Sequence, residues 1–401
     1  MMDWILRNAR IADDQPLQDI AIHDGKIALV DSSLSQTAKQ EWDLAGHVLL
    51  PGMIDIHTHL DKTYASIENQ SGTLQEAIEL WSVLKTERTE AELSSAMQRA
   101  IRQAILHGVT AMRSHINADR ADDAMAVEIA LALREEVRDL IDLQLVALGR
   151  PGLPDRHGHL EESLRKGLDY VGGAPSLQPD PKAGVDAAFA LAEATGKPID
   201  LHIDETEDPN MLVLEYLAEQ TIVHGMQGQV TAGHCCSLSF VAQSRAEAVM
   251  DKVAEAQITI VTLPSCNLVL MGRQMNPTPR GTTRVKELLA RGVNVCAASD
   301  NVHDPFNPFG SYDLLQIANL NAHVAHMTGR QELLTSLAMV NHHPARAWGH
   351  QTYGLVPDAP ADLVVIEAER LIEAVLSPPA RLATFKKGKM IVRTQIERTW
   401  L

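Results

Sequence analysis

Residues 51–62 read Pro51-Gly52-Met53-Ile54-Asp55-Ile56-His57-Thr58-His59-Leu60-Asp61-Lys62. A short apolar run leads into a polar end, and the period-two alternation of a strand points His57 and His59 to the same side, where two imidazoles can reach one cation. Seven further apolar runs follow at residues 109–115, 141–148, 170–173, 199–202, 230–234, 258–263 and 293–299. The stretches between them, such as residues 90–107 and 121–138, carry apolar residues at helical spacing. Alternation of this kind is the sequence form of repeated βα units around a parallel sheet, and eight strands favour closure into a (β/α)8 TIM barrel over an open sheet. The fold class is therefore α/β. In a closed parallel barrel chemistry sits at the C-terminal strand ends, so polar residues there carry the functional reading.

Four of those ends are rich in metal-ligating types. Besides His57 and His59, the fifth strand ends in Leu201-His202-Ile203-Asp204-Glu205, the sixth in Ala232-Gly233-His234 and the eighth in Ala298-Ser299-Asp300. His57, His59, His202 and Asp300 supply three neutral nitrogens and one carboxylate, a set suited to Zn²⁺ or Fe²⁺ with room for a water. Burying that many polar groups without a cation would be costly. A divalent ion lowers the pKa of its water from ~16 to about 7–9. Glu205, just beyond the fifth-strand ligand, is then placed to take the water's proton and hand it to a ring nitrogen of a substrate. His234 would donate to, or steady, the attacking oxygen, and Asp300 would both bind metal and move a proton to the departing amine. The plain alternatives are a solvated loop carboxylate for Glu205, beside Glu207 and Asp208, and hydrogen-bonded structural roles for His202 and His234. His115, which ends the second strand, reads first as a buried hydrogen-bonded residue, with reach into the pocket as the alternative, and His342-His343 as structural.

The ends of the chain have another character. The first fifty residues hold short strand-like runs at 4–11, 19–22 and 26–30 with an Asp24-Gly25 hairpin signal, and residues 361–366 and 390–392 are β-like around a Lys387-Gly388-Lys389 turn. A small β-sandwich built from both termini, residues 1–50 and 353–401, is expected beside a barrel of residues 51–352. The 401-residue chain is 45% hydrophobic and can bury a core of that size. Lys and Arg number 35 against 52 Asp and Glu, a formal charge of −17 that repels phosphate backbones and anionic headgroups, so neither nucleic acid nor a membrane surface is an expected partner. No run approaches a membrane span, and Met1-Met2-Asp3-Trp4-Ile5 has no signal-peptide form, so a cytoplasmic protein is expected. The four cysteines, Cys235, Cys236, Cys266 and Cys296, lack CxxC spacing and read as reduced core thiols.

Over nearly its whole length the chain resembles bacterial cytosine deaminase and its relatives in the amidohydrolase superfamily, including N-isopropylammelide isopropylamidohydrolase. The stretch at 51–62 carries the likeness, with Ser71-Gly72-Thr73-Leu74, the segment 141–147, Asp200-Leu201-His202-Ile203-Asp204-Glu205, Arg284-Val285-Lys286-Glu287-Leu288-Leu289 and Ser299-Asp300-Asn301-Val302-His303-Asp304-Pro305-Phe306. The resemblance implies one Zn²⁺ or Fe²⁺ per subunit on His57, His59, His202 and Asp300, Glu205 as proton shuttle, His234 as catalytic histidine, and the terminal sandwich. Two-metal relatives carry a carbamylated lysine at the end of strand four, where this chain reads Tyr170-Val171-Gly172-Gly173-Ala174-Pro175, so a mononuclear site is implied. Two departures bear on the substrate. Gly149-Arg150-Pro151-Gly152 replaces the Pro-Gln-Glu-Gly segment of cytosine deaminase, and Asn301 replaces a second aspartate. Arg150 offers cationic donors that suit a carbonyl-rich or anionic ring.

The expected activity is hydrolytic deamination of a small heterocyclic amidine, such as an amino-pyrimidine or amino-triazine, with Arg150, Lys62 and Asn301 contacting it. The alternatives are hydrolysis of a ring or exocyclic C–N amide bond without ammonia release, and a non-catalytic scaffold. The subunit count stays open, a homo-oligomer included.

Overall fold

The computed structural model describes residues 1–400. Five strands precede the barrel: β1 (Met2–Ala9), β2 (Gln18–His23), β3 (Lys26–Asp31), β4 (Ala38–Asp43) and β5 (Val48–Pro51). The barrel strands are β6 (Met53–Thr58), β7 (Val109–Asn117), β8 (Asp142–Leu148), β9 (Tyr170–Gly173), β10 (Ile199–Ile203), β11 (Val230–His234), β12 (Thr259–Thr262) and β13 (Val295–Ala297). Three more strands, β14 (Leu363–Ile366), β15 (Arg381–Lys386) and β16 (Lys389–Arg393), end the chain.

The eight middle strands pair in sequence order, all parallel. Their residues are almost continuously buried, because helices cover the outside and side chains fill the inside. The ring closes at its C-terminal end through a bridge between Thr58 and Asp300, where the Asp300 N–H donates to the His57 carbonyl at 2.9 Å. At the other end, the Met339 and Val340 carbonyls accept from Ala297 and Ile54 and fill the seam between β13 and β6. The first two outer helices start on side-chain caps: Thr73 accepts from Glu76 N–H at α1 (Leu74–Glu87), and Thr89 with Glu92 forms a capping box at α2 (Glu90–Leu106).

Below the histidines the barrel interior is polar. Arg113, fully buried on β7, donates to Gln144 on β8 (3.0 Å), the Tyr170 hydroxyl on β9 (2.7 Å), Asp200 on β10 (2.8 Å) and the Ala347 carbonyl (3.0 Å). One guanidinium thus stitches four consecutive strands together, and its charge is neutralised by Asp200.

The terminal strands form two four-stranded sheets, ordered β3-β2-β1-β4 and β16-β15-β14-β5. They share one apolar core that includes Leu6, Ile20, Ile22, Leu49, Leu363, Val365 and Phe385, with Trp4 edge-on to Phe385 at 5.5 Å. The expected sandwich is therefore present, and β5 is the N-terminal strand that joins the C-terminal sheet. β4 and β15 escape sequence reading because Ala38-Lys39-Gln40-Glu41-Trp42-Asp43 and Arg381-Leu382-Ala383-Thr384-Phe385-Lys386 lack a clear apolar alternation. Pairing with neighbours makes them strands. Among the described residues no helix is long and apolar enough to cross a membrane.

Candidate active site

β6, β10, β11 and the loop after β13 bring the predicted site together. His57, His59, His202 and Asp300 are all buried, and their ligand atoms lie within 4.8 Å of one another. His59 Nε2 is 3.1 Å from His202 Nε2 and 3.3 Å from Asp300 Oδ1, while His57 Nε2 is 3.5 Å from the same oxygen. Neither Asp300 oxygen and neither His57 nitrogen has a hydrogen-bond partner. Facing nitrogens and an unpartnered carboxylate at these separations are what a set of ligands converging on one divalent ion leaves behind. The residues therefore fit a single divalent cation.

The electrostatics agree with that donor set. Burial, aided by the Lys62 charge, pushes the His59 imidazole down to about 4, and burial with the neighbouring His57 holds His202 well below its ordinary value. Both rings are neutral near pH 7 and offer lone pairs. Burial opposes ionisation of Asp300, but His234, His57 and His59 outweigh it and hold the carboxyl far below the usual range.

His234 ends β11 with φ +67° and Asp300 has φ +59°, so both side chains hang on left-handed backbone that turns them away from the strand path. Asn267 Nδ2 donates to His234 Nδ1 at 3.0 Å, leaving the buried Nε2 without a partner. Glu205, its side chain 13% exposed, places Oε1 3.6 Å from His234 Nδ1. Burial first, then the Asp300 charge, raises its carboxyl well above the ordinary glutamate value, against the pull of Lys62. Glu205 is thus not the solvated loop residue of the plain alternative.

A cavity of about 370 Å³ opens on His59, His202, Glu205 and His234. Leu74, Ile78 and Trp81 from α1 line it, and Phe306 also contributes to the wall. Lys62, Arg150 and Asn301 all line it as well. Lys62 Nζ lies 2.8 Å from His59 Nδ1 and 3.9 Å from Asp61 Oδ1. Asn301 Nδ2 donates to Asp304 at 2.6 Å, which fixes the amide.

One expectation fails. His115 is buried, but neither ring nitrogen is hydrogen-bonded; Nε2 stands 3.5 Å from Asp200 Oδ1. With His57 and Asp200 it forms a second set of convergent donors. That set shares His57 with the first and its carboxylate is already held by Arg113, so a second dication there would meet a guanidinium rather than free negative charge. His343, by contrast, donates from Nδ1 to the Val295 carbonyl at 2.8 Å, a structural role as expected. The four cysteines are free and buried.

Sequence reasoning missed Asn267 and Gly233. A lone asparagine in the short helix Pro264–Leu270 carries no local signal. Gly233 does carry one, because a glycine inside a strand marks a close approach: a Cβ there would lie 2.9 Å from His57 Cε1.

The chain belongs to the amidohydrolase family, whose sequence model matches residues 68–400. That match begins after the two strand-one histidines. Over 94% of its length the chain is 33% identical to the pterin deaminase of Rhizobium rhizogenes, of which it covers 88%. It is 28% identical to the N-isopropylammelide isopropyl amidohydrolase of Pseudomonas sp. (strain ADP), with 98% of each chain covered. Among solved structures, 5-methylcytosine deaminase from Klebsiella pneumoniae liganded with phosphonocytosine superposes with a TM-score of 0.94 at 31% identity, covering 99% of this chain and 100% of that one.

Proposed function

We propose that this chain is a hydrolase of C–N bonds that removes an amine from a small nitrogen heterocycle, using one divalent cation, Zn²⁺ or Fe²⁺, held by His57, His59, His202 and Asp300. The observation that carries the reading is the buried, unpartnered Asp300 carboxylate against two histidine Nε2 atoms, next to a cavity that also contains Glu205. The relatives support it, because a pterin, an ammelide and a methylcytosine are all nitrogen heterocycles bearing a hydrolysable exocyclic nitrogen.

When bound, the cation supplies Lewis acidity that makes a water acidic enough to attack near neutral pH. Glu205, with its affinity for protons raised by burial, takes the water's proton and delivers it to the ring nitrogen beside the attacked carbon. His234 holds its Nε2–H toward the developing oxygen, its tautomer set by the Asn267 amide on Nδ1. Asp300 accepts the remaining proton and passes it to the leaving amine. Apolar surface from Trp81, Ile78 and Phe306 packs on the ring, and Lys62, Arg150 and Asn301 read its edge. A second reading, departure of a substituted amine rather than ammonia, draws on the isopropylammelide relative.

The test is ammonia and amine release from aminated pyrimidines, triazines, pterins and creatinine-like rings, with metal measured on the same preparation. The expected result is one tightly bound divalent ion per chain, and a Glu205→Gln variant that keeps its metal but loses about 10²–10⁴-fold in kcat. A metal-free protein, or a Glu205→Gln variant with undiminished turnover, overturns the proposal. New carboxylate without amine release points instead to ring opening.

A further inference from the structure

The geometry points to an anion subsite in the cavity wall, formed by Arg120 and Arg150 on the loops after β7 and β8, that selects heterocycles carrying a carboxylate or similar ionised substituent. It rests on the deaminase reading for the ring, but not for the anion.

Both arginines line the cavity that opens on His59, His202, Glu205 and His234. A guanidinium carries five N–H donors, and among the described residues neither of these two donates a side-chain hydrogen bond within the chain. Each is held only by a loose ion pair, without a hydrogen bond, to a carboxylate that has another partner. Arg120 Nε is 3.4 Å from Asp122 Oδ1, an oxygen that accepts from Lys85 Nζ at 3.3 Å. Arg150 Nε is 3.7 Å from Asp119 Oδ2, which accepts Arg150's own backbone N–H at 3.1 Å. Lys85 is committed elsewhere, to Asp123 at 2.6 Å. Arg113 deeper in the barrel shows the contrast, since every nitrogen of its guanidinium is hydrogen-bonded.

The side chains are loosely held, whereas their backbone roots are fixed. Asp123 accepts from the Asp119 and Arg120 N–H groups at 3.1 and 3.0 Å, and Asp119 accepts from Arg150, so one carboxylate ties the two loops side by side. The guanidinium groups, on side chains 45% and 40% exposed, can therefore turn to a ligand at the cost of one loose ion pair each and no side-chain hydrogen bond. Their planar forks match a carboxylate bidentately. In a chain of net charge −17, two loosely paired guanidinium groups on the wall of a ring-sized cavity offer cationic donors to an anionic substituent. At about 370 Å³ the cavity is large enough for a ring carrying a short substituent.

The test uses matched pairs on the metal-loaded enzyme: pterin against 6-carboxypterin, and cytosine against 5-carboxycytosine. The carboxylated member of a pair is expected to have a kcat/KM roughly ten- to a hundredfold higher, the scale of charge-assisted hydrogen bonds, expressed in KM and shrinking with added salt. In the double variant Arg120→Met/Arg150→Met the ratio is expected to fall to about one. Ammonia release from the neutral rings with no preference for their carboxylated partners overturns the subsite and leaves the deaminase reading standing, as does a double variant that lowers both members alike. If no ring releases ammonia, the deaminase reading fails, and calorimetric binding of the same rings still decides the subsite: absent or unselective binding of the carboxylated ring overturns it.

Discussion

His59 is a metal-ligand candidate whose surroundings decide when it can serve. Burial first, and the adjacent Lys62 charge second, lower its protonation to about pH 4 from the ordinary 6.5. A depressed imidazole value means that the lone pair survives as pH falls from neutrality and is lost only near the depressed value. We predict that the protein dialysed at about pH 5 retains as much metal as at about pH 7, and releases it below about pH 4, in contrast to a solvent-exposed imidazole site near 6.5. Metal loss between neutrality and about pH 6 would contradict this. The residue scale is also where sequence reading was strongest. His57 and His59 are two apart on one strand, and period-two alternation is enforced by backbone geometry alone. His115 shows the limit, since a residue's burial was inferable but not what would fail to bond it.

At the scale of elements, β6 and β11 are matched through a glycine. Gly233 leaves the space that the His57 ring occupies, with Cε1 and Nδ1 only 2.9 and 3.1 Å from where a Cβ would stand. Gly233→Ala is expected to tilt that imidazole and weaken metal binding about 10–100-fold while the chain stays folded, as a chelator competition would show. Unchanged affinity would mean that His57 is not a ligand. All eight barrel strands were legible, because a parallel strand covered on both faces is a short apolar run bounded by turns. The edge strand β4 and the C-terminal β15 were not, since their sequences are mixed and their strand form comes from β1 and from β14 and β16.

At the scale of the whole molecule, Lys386 is a buried tie between the terminal sheets and the barrel. Lys386, fully buried on β15, donates to Asp362 before β14, to Asp142 at the start of β8 and to the Thr110 carbonyl on β7, at 2.6, 2.6 and 3.0 Å. Lys386→Met removes the buried ammonium and leaves Asp142 with only Lys387 Nζ at 3.2 Å and Asp362 with only the Lys387 N–H at 2.7 Å. We expect a loss of about 3 kcal/mol in denaturant unfolding, the scale of breaking a buried ion pair; a change within error would show the tie to be dispensable. The residue types at the strand ends, the count of strands and the (β/α)8 class were settled by the chain itself, because periodicity and burial pattern are relations among near neighbours. The closure at Thr58 and Asp300, 242 positions apart, the Asn267 bond to His234, and the shared anchoring of Arg120 and Arg150 were decided only in three dimensions. These partners are fixed by the curvature of the closed barrel, which no local pattern encodes.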